Sequence, residues 1–150
     1  MKGKVHATAS IALAVPCAVA ATLYTSDLLA GIGAGMGCLA GSVISPDLDQ
    51  ESISHGEWQI VKRTYGMGFL FLMWWYPYAL AHKHRGISHL PIVGTLGRVI
   101  YLLAPFLILA LVLGADPTTI PEPVRWAAMW AFWGLAVSDG AHFLMDWLTV

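Results

Sequence analysis

Residues 28–45 read LLAGIGAGMGCLAGSVIS. Five glycines, Gly31, Gly33, Gly35, Gly37 and Gly41, punctuate an otherwise apolar run. Gly31/Gly35, Gly33/Gly37 and Gly37/Gly41 are four residues apart, so each pair falls on one helical face. Small residues at that spacing let a neighbouring helix approach closely, which is how helices associate in lipid. A glycine-rich segment can also cradle phosphate, but no Lys-Ser/Thr follows these glycines, so a nucleotide-binding P-loop is not supported. Ser26 is the expected N-cap of this helix and Pro46 its expected stop.

The rest of the chain agrees with a membrane setting. Of 150 residues, 57% are hydrophobic and 11% charged, against about 45–50% and about 25% in soluble domains. Eight basic and nine acidic side chains are too few to coat a water-soluble globule of this size. The same composition excludes disorder. A net charge of −1 argues against a large nucleic-acid-binding face. Cys17 and Cys38 lie inside apolar runs and suggest neither a disulfide framework nor a cysteine metal site.

A spanning helix needs about 20 mostly apolar residues. Residues 5–24, 28–45, 91–115 and 124–149 meet that need. The first run follows Lys2 and Lys4 and contains Ala18-Val19-Ala20, as a signal peptide would, but it continues past the alanines. A fifth stretch, about 64–81, is short and carries Trp74-Trp75-Tyr76, aromatics suited to headgroup depth. The expected fold class is therefore all-α: a single-domain (1–150) integral membrane helical bundle of four transmembrane helices plus an interfacial or re-entrant aromatic segment. Five spans are the alternative. With four, both termini are cytoplasmic and Lys2, Lys4, Lys62, Arg63, Lys83 and Arg85 share that side, leaving Arg125 outside, as the positive-inside rule favours.

Nearly all other polar residues then gather at the cytoplasmic ends. Ionisable residues in or beside spans are expensive and point to function. Asp139, His142 and Asp146, spaced i, i+3, i+7, share one helical face. Left unpaired there, the carboxylates carry a desolvation penalty that a bound cation removes. Asp47 and Asp49 sit beyond a helix C-terminus, where the dipole favours a cation. A solvated acidic turn explains that pair equally well. His84 and His89 flank a Gly86 bend before Pro91 opens the next helix. Arg85 and Arg98 are candidates for holding a substrate phosphate. The alternative for this stretch is a basic segment drawn to anionic lipid. His6 starts the first helix. His55, Glu51 and Glu57 read as ordinary loop residues. Imidazoles and carboxylates without thiolate suit Zn²⁺, Mn²⁺ or Fe²⁺, as one ion or two, with zinc favoured.

The order of four segments is similar to that of a known family. They are His6, Ser45-Pro46-Asp47-Leu48-Asp49, His84-Arg85-Gly86-Ile87-Ser88-His89, and the run Ser138-Asp139-Gly140-Ala141-His142-Phe143-Leu144-Met145-Asp146. The chain resembles the YdjM-like membrane proteins, described as predicted metal-dependent hydrolases. It resembles still more a branch of small bacterial and phage membrane proteins labelled metal-binding. The resemblance implies metal ligands at His6, Asp47, Asp49, His84, His89, His142 and Asp146, with Arg85 as a substrate contact. Asp139 matches the second branch more than the first. Many YdjM-like members follow the second Asp with His, where this chain has Gln50. A weaker likeness joins Ser138, His142 and Asp146 to the last motif of lipid-phosphatase-type enzymes, whose other motifs are missing.

These readings lead to an expected function: hydrolysis of a phosphate or acyl ester of a lipid or lipid-linked substrate at the cytoplasmic surface of a bacterial inner membrane. Asp49, Arg85 and His89 are the candidate catalytic groups. Two alternatives stand: a scaffold whose metal is structural, and a metal-independent, lipid-phosphatase-like enzyme using His142.

Overall fold

The computed structural model describes residues 3–49, 64, 68–82 and 86–148. These form five α-helices: α1 (Gly3–Thr25), α2 (Leu28–Ala40), α3 (Gly68–Ala81), α4 (Val93–Val112) and α5 (Glu122–Leu148). Short 3₁₀ turns at Pro46–Asp49, Ile87–His89 and Pro117–Thr119 lie between them. No strand occurs among the described residues.

The glycine-rich α2 lies between α1 and α5, and its two glycine registers face different neighbours. Gly31 and Gly35 meet α1 at Ala18 and Thr22. Gly33, Gly37 and Gly41 meet α5 at Ala127, Ala131 and Ser138. A Cβ on Gly37 would stand 2.0 Å from the Ala131 carbonyl oxygen, and one on Gly134 of α5 would stand 2.0 Å from that of Ala34. The backbones are thus as close as small residues permit. Cys38 Sγ donates to the Gly134 carbonyl at 3.1 Å across the same interface. The hydroxyls of Ser10 and Ser138, 2.7 Å apart, tie α1 to α5.

The ends of α2 differ from expectation. Its N-cap is Asp27, not Ser26: the Asp27 carboxylate accepts from the Leu29 N–H at 2.8 Å. Ser26 sits at φ 56°, in the left-handed region, and makes the break between α1 and α2. The helix closes at Gly41, five residues before Pro46, because the chain tightens there into i→i+3 bonds, Ser42 N–H to Leu39 O and Val43 N–H to Ala40 O. With 13 residues, α2 is about 20 Å long, short of the roughly 30 Å hydrocarbon core. The 14 residues of α3 fall short in the same way. Two helical segments, Val5–Thr25 and Val93–Val112, are long and apolar enough to cross a membrane.

The aromatic segment is also different in kind. Trp75 and Tyr78 of α3 are buried with Leu48 of the Pro46–Asp49 turn, at 1%, 2% and 2% exposure. Phe71, Trp74 and Tyr101 pack around them, and Trp74 stacks on Phe106 of α4. Trp75, expected at headgroup depth, is a core residue, and only Tyr76 of the trio is well exposed. The reason lies in Leu48: the turn after α2 presents an apolar side chain that needs cover, and α3 supplies the rings. The α3 aromatics therefore buttress the turn that carries Asp47.

Candidate metal centre

Four separate segments bring ionisable side chains to one end of the bundle. His6 lies in the first turn of α1, Asp47 in the turn after α2, His89 at the close of the turn before α4, and His142 and Asp146 one helical turn apart near the end of α5. His6 Nε2 is 3.2 Å from Asp146 Oδ1. His142 Nε2 is 3.5 Å from both Asp47 Oδ1 and Asp146 Oδ2. His89 Nε2 is 4.0 Å from Asp47 Oδ1. The His6 and His142 rings stack, with centroids 3.9 Å apart and planes 18° from parallel. His89 meets the His142 ring edge-on at 5.8 Å.

The residues form two triplets, His6/His142/Asp146 and Asp47/His89/His142, each offering donor atoms within 4.8 Å of one another. His142 belongs to both. Ligands held about 2.0–2.2 Å from a zinc-sized ion lie roughly 3–4.4 Å apart. The measured separations fall in that range, and most exceed a good hydrogen bond. Nδ1 of His6 is buried without a hydrogen-bond partner among the described residues. Three imidazoles and two carboxylates are a sound donor set for a divalent transition ion. The side chains grade from inside to outside: the imidazoles are 4–6% exposed, Asp47 and Asp146 15% and 17%. Burial acts to raise the Asp47 carboxyl, but the hydrogen bond and charge of His142, with His6 and His89, outweigh it and hold Asp47 below the usual carboxylate range.

Local structure explains each placement. Ser10 Oγ donates to the His6 carbonyl at 3.1 Å while contacting Ser138, so the first turn of α1 is fastened to α5. The His89 turn folds back on α4, where a Cβ at Gly94 would lie 2.0 Å from the Ser88 carbonyl oxygen. Between them Ile92 sits at φ 68°, ψ −57°, and the Val93 N–H bonds the Pro91 carbonyl at 2.8 Å. That is a γ-turn of the rare strained kind, on a β-branched residue for which positive φ is an outlier.

Two expectations need correction. Asp139, expected among the ligands, accepts hydrogen bonds from Arg98 and from Thr95 Oγ1. It belongs to neither triplet. Its stripe with His142 and Asp146 is real, but Asp139 stands about 10 Å along the helix axis from Asp146, a layer deeper, where α4 crosses. Arg98, expected at a substrate phosphate, is fully buried. Besides Asp139 it binds the Ser88 carbonyl, Nη1 to O at 2.8 Å. Ser88 thus serves Arg98 through its backbone carbonyl.

His84 and Arg85 lie outside the described residues, as do Glu51, His55 and Glu57 and the side chain of Asp49. His82 is stacked on Tyr78 and bonded to its carbonyl at 2.9 Å, away from the cluster. Thr95 and Ser10 were not foreseen, since scattered hydroxyls in apolar helices form no pattern that singles one out, and α1 also carries Thr8, Thr22 and Thr25. The usable signal was Thr95 one turn before Arg98 on the same face.

A family model described as "Uncharacterized metal-binding protein (DUF2227)" matches residues 1–150. An uncharacterized protein of Aquifex aeolicus (strain VF5) is 39% identical over 70 residues, covering 45% of this chain and 43% of that relative. The match thus spans less than half the length of either protein. No solved structure matches the chain.

Proposed function

The chain belongs to this uncharacterized metal-binding family, and on that premise we propose that it holds a divalent transition ion among His6, Asp47, His89, His142 and Asp146. The observation that carries the proposal is the meeting of five donors from four separate segments. Zinc fits the donor set, as do manganese and iron.

The reaction we propose is hydrolysis of a phosphate or acyl ester of a lipid or lipid-linked substrate. Such an ion supplies Lewis acidity and activates water near neutral pH. The carboxylates of Asp47 and Asp146 form the more open side of the cluster, so a substrate would approach across acids suited to accepting a proton. Asp49 and Arg85 complete the reading, Asp49 as a further ligand or base and Arg85 as the partner of a substrate phosphate; His84 would add a ligand. A membrane setting is supported by the two long apolar helices and by large exposed side chains along them, such as Val15, Leu23, Leu107 and Val112. In that setting α1 and α4 are the helices long and apolar enough to cross, and our reading places the site at the cytoplasmic face. The likeness to YdjM-like proteins supports the same chemistry.

A second reading is structural. The cluster joins the starts of α1 and α5's last turns to two inter-helix turns, which is what a metal staple does. The test is turnover by metal-replete protein in detergent, with p-nitrophenyl phosphate, p-nitrophenyl acetate and phosphatidic acid as probes. The hydrolase reading expects product release that disappears with a chelator and in His142→Ala. A metal-loaded protein that cleaves none of the three, and whose Tm falls on chelation, is a staple.

A further inference from the structure

Two buried charges do not touch the metal cluster, yet they join the two segments that supply its central ligands. Arg98 of α4 and Asp139 of α5 are 0% and 1% exposed. They bond each other, and Thr95 adds a hydroxyl to the same Asp139 oxygen. The second arm of the guanidinium, Nη1, donates to the Ser88 carbonyl at 2.8 Å. Ser88 immediately precedes His89, and Asp139 stands one helical turn before His142. The pair therefore grips the His89 turn with one hand and the His142 helix with the other.

The turn needs such a grip. Its backbone bonds include His89 N–H to Gly86 O and Leu90 N–H to Ile87 O, both 3.1 Å, and its exit passes through the strained γ-turn at Ile92. Strain of this kind persists only where surroundings over-determine it. A pair buried this deeply is also expensive to keep for stability alone, since well-packed apolar residues commonly replace a buried ion pair without loss. We propose that Arg98 and Asp139, supported by Thr95, are positioning residues that set metal affinity by holding His89 in ligating register with His142. The inference rests on the metal reading above.

The experiment compares metal affinity in full-length protein, by competition with a chromophoric chelator for Zn²⁺ and by the visible spectrum of the Co²⁺-loaded form. Removing one partner would leave a buried unpaired charge, so the main variant is the double substitution Arg98→Met with Asp139→Leu, which leaves neither. The milder Thr95→Val serves if the double variant does not fold. The expected result is about 10–100-fold weaker Zn²⁺ binding, typical for loss of groups that orient ligands, with an altered Co²⁺ spectrum at unchanged helix content. In a His89→Ala background the same substitutions should cost nothing further, because the effect passes through His89. Unchanged affinity and spectrum in a folded variant would overturn the proposal while leaving the metal site standing, as would an equal loss in the His89→Ala background. A wild type that binds neither ion would overturn both.

Discussion

In the proposed site, protons and metal would compete for the same lone pairs at His6, His89 and His142, and that competition has a predictable direction. The Asp47 carboxyl is held below the usual range by the imidazoles around it, so acidification reaches the imidazoles before it reaches this carboxylate. An imidazole has an ordinary pKa of about 6.5. Because bound metal competes with protons for these lone pairs, release on acidification should begin only below the free-imidazole range: full retention near pH 8, and loss at a lower pH that rises when a competing chelator is added. Dialysis at stepped pH against a chelator, followed by elemental analysis, checks this, and retention that does not change with pH would contradict imidazole ligation. At this scale the sequence was most legible where residue type alone fixes chemistry. His6, Asp47, His89, His142 and Asp146 were recognisable as candidate ligands before any geometry was known, and the structure brings them together. The roles of Arg98 and Asp139 were not, because their pairing spans 41 positions, and no local pattern shows which buried charge will find which partner.

The helices owe their closeness to glycine, and the two registers of α2 can be tested against a built-in control. A side chain at Gly37 would drive into the Ala131 carbonyl, whereas a Cβ at Gly140 meets nothing within 4 Å. Gly37→Leu should destabilise the protein by about 1–3 kcal/mol or more through overpacking. Gly140→Ala, on the open face of α5, should be neutral or stabilising by up to about 1 kcal/mol from helix propensity. Thermal unfolding in detergent measures both, and equal effects would contradict the close packing of α2 on α5. The four-residue glycine spacing made this packing readable from sequence. The length of α2 was not readable, because hydropathy marks an apolar run but not where its backbone tightens at Gly41. The packing of the aromatic segment was not readable for a related reason: nothing in Trp74-Trp75-Tyr76 tells that Leu48 will claim the ring of Trp75.

Among the described residues, the buried ionisable side chains gather in two layers at one end of the bundle. The deeper layer is the Arg98–Asp139 pair, and the outer layer is the His/Asp cluster with its carboxylates toward the opening. Composition showed that charged residues are few, and chain order showed several ionisable ones falling near helix ends. Their separation into two layers depended on the crossing of α4 over α5, which sequence spacing along one helix does not contain. The central claim is that one ion is shared by donors from four segments, with His142 common to both triplets. Its most direct measurement is metal content per chain by elemental analysis, in wild type and in His6→Ala, His89→Ala and His142→Ala. We predict about one transition-metal ion per wild-type chain, weakened retention in His6→Ala and His89→Ala, and near-complete loss in His142→Ala. Wild type without metal above background, or His142→Ala at full occupancy, would contradict it.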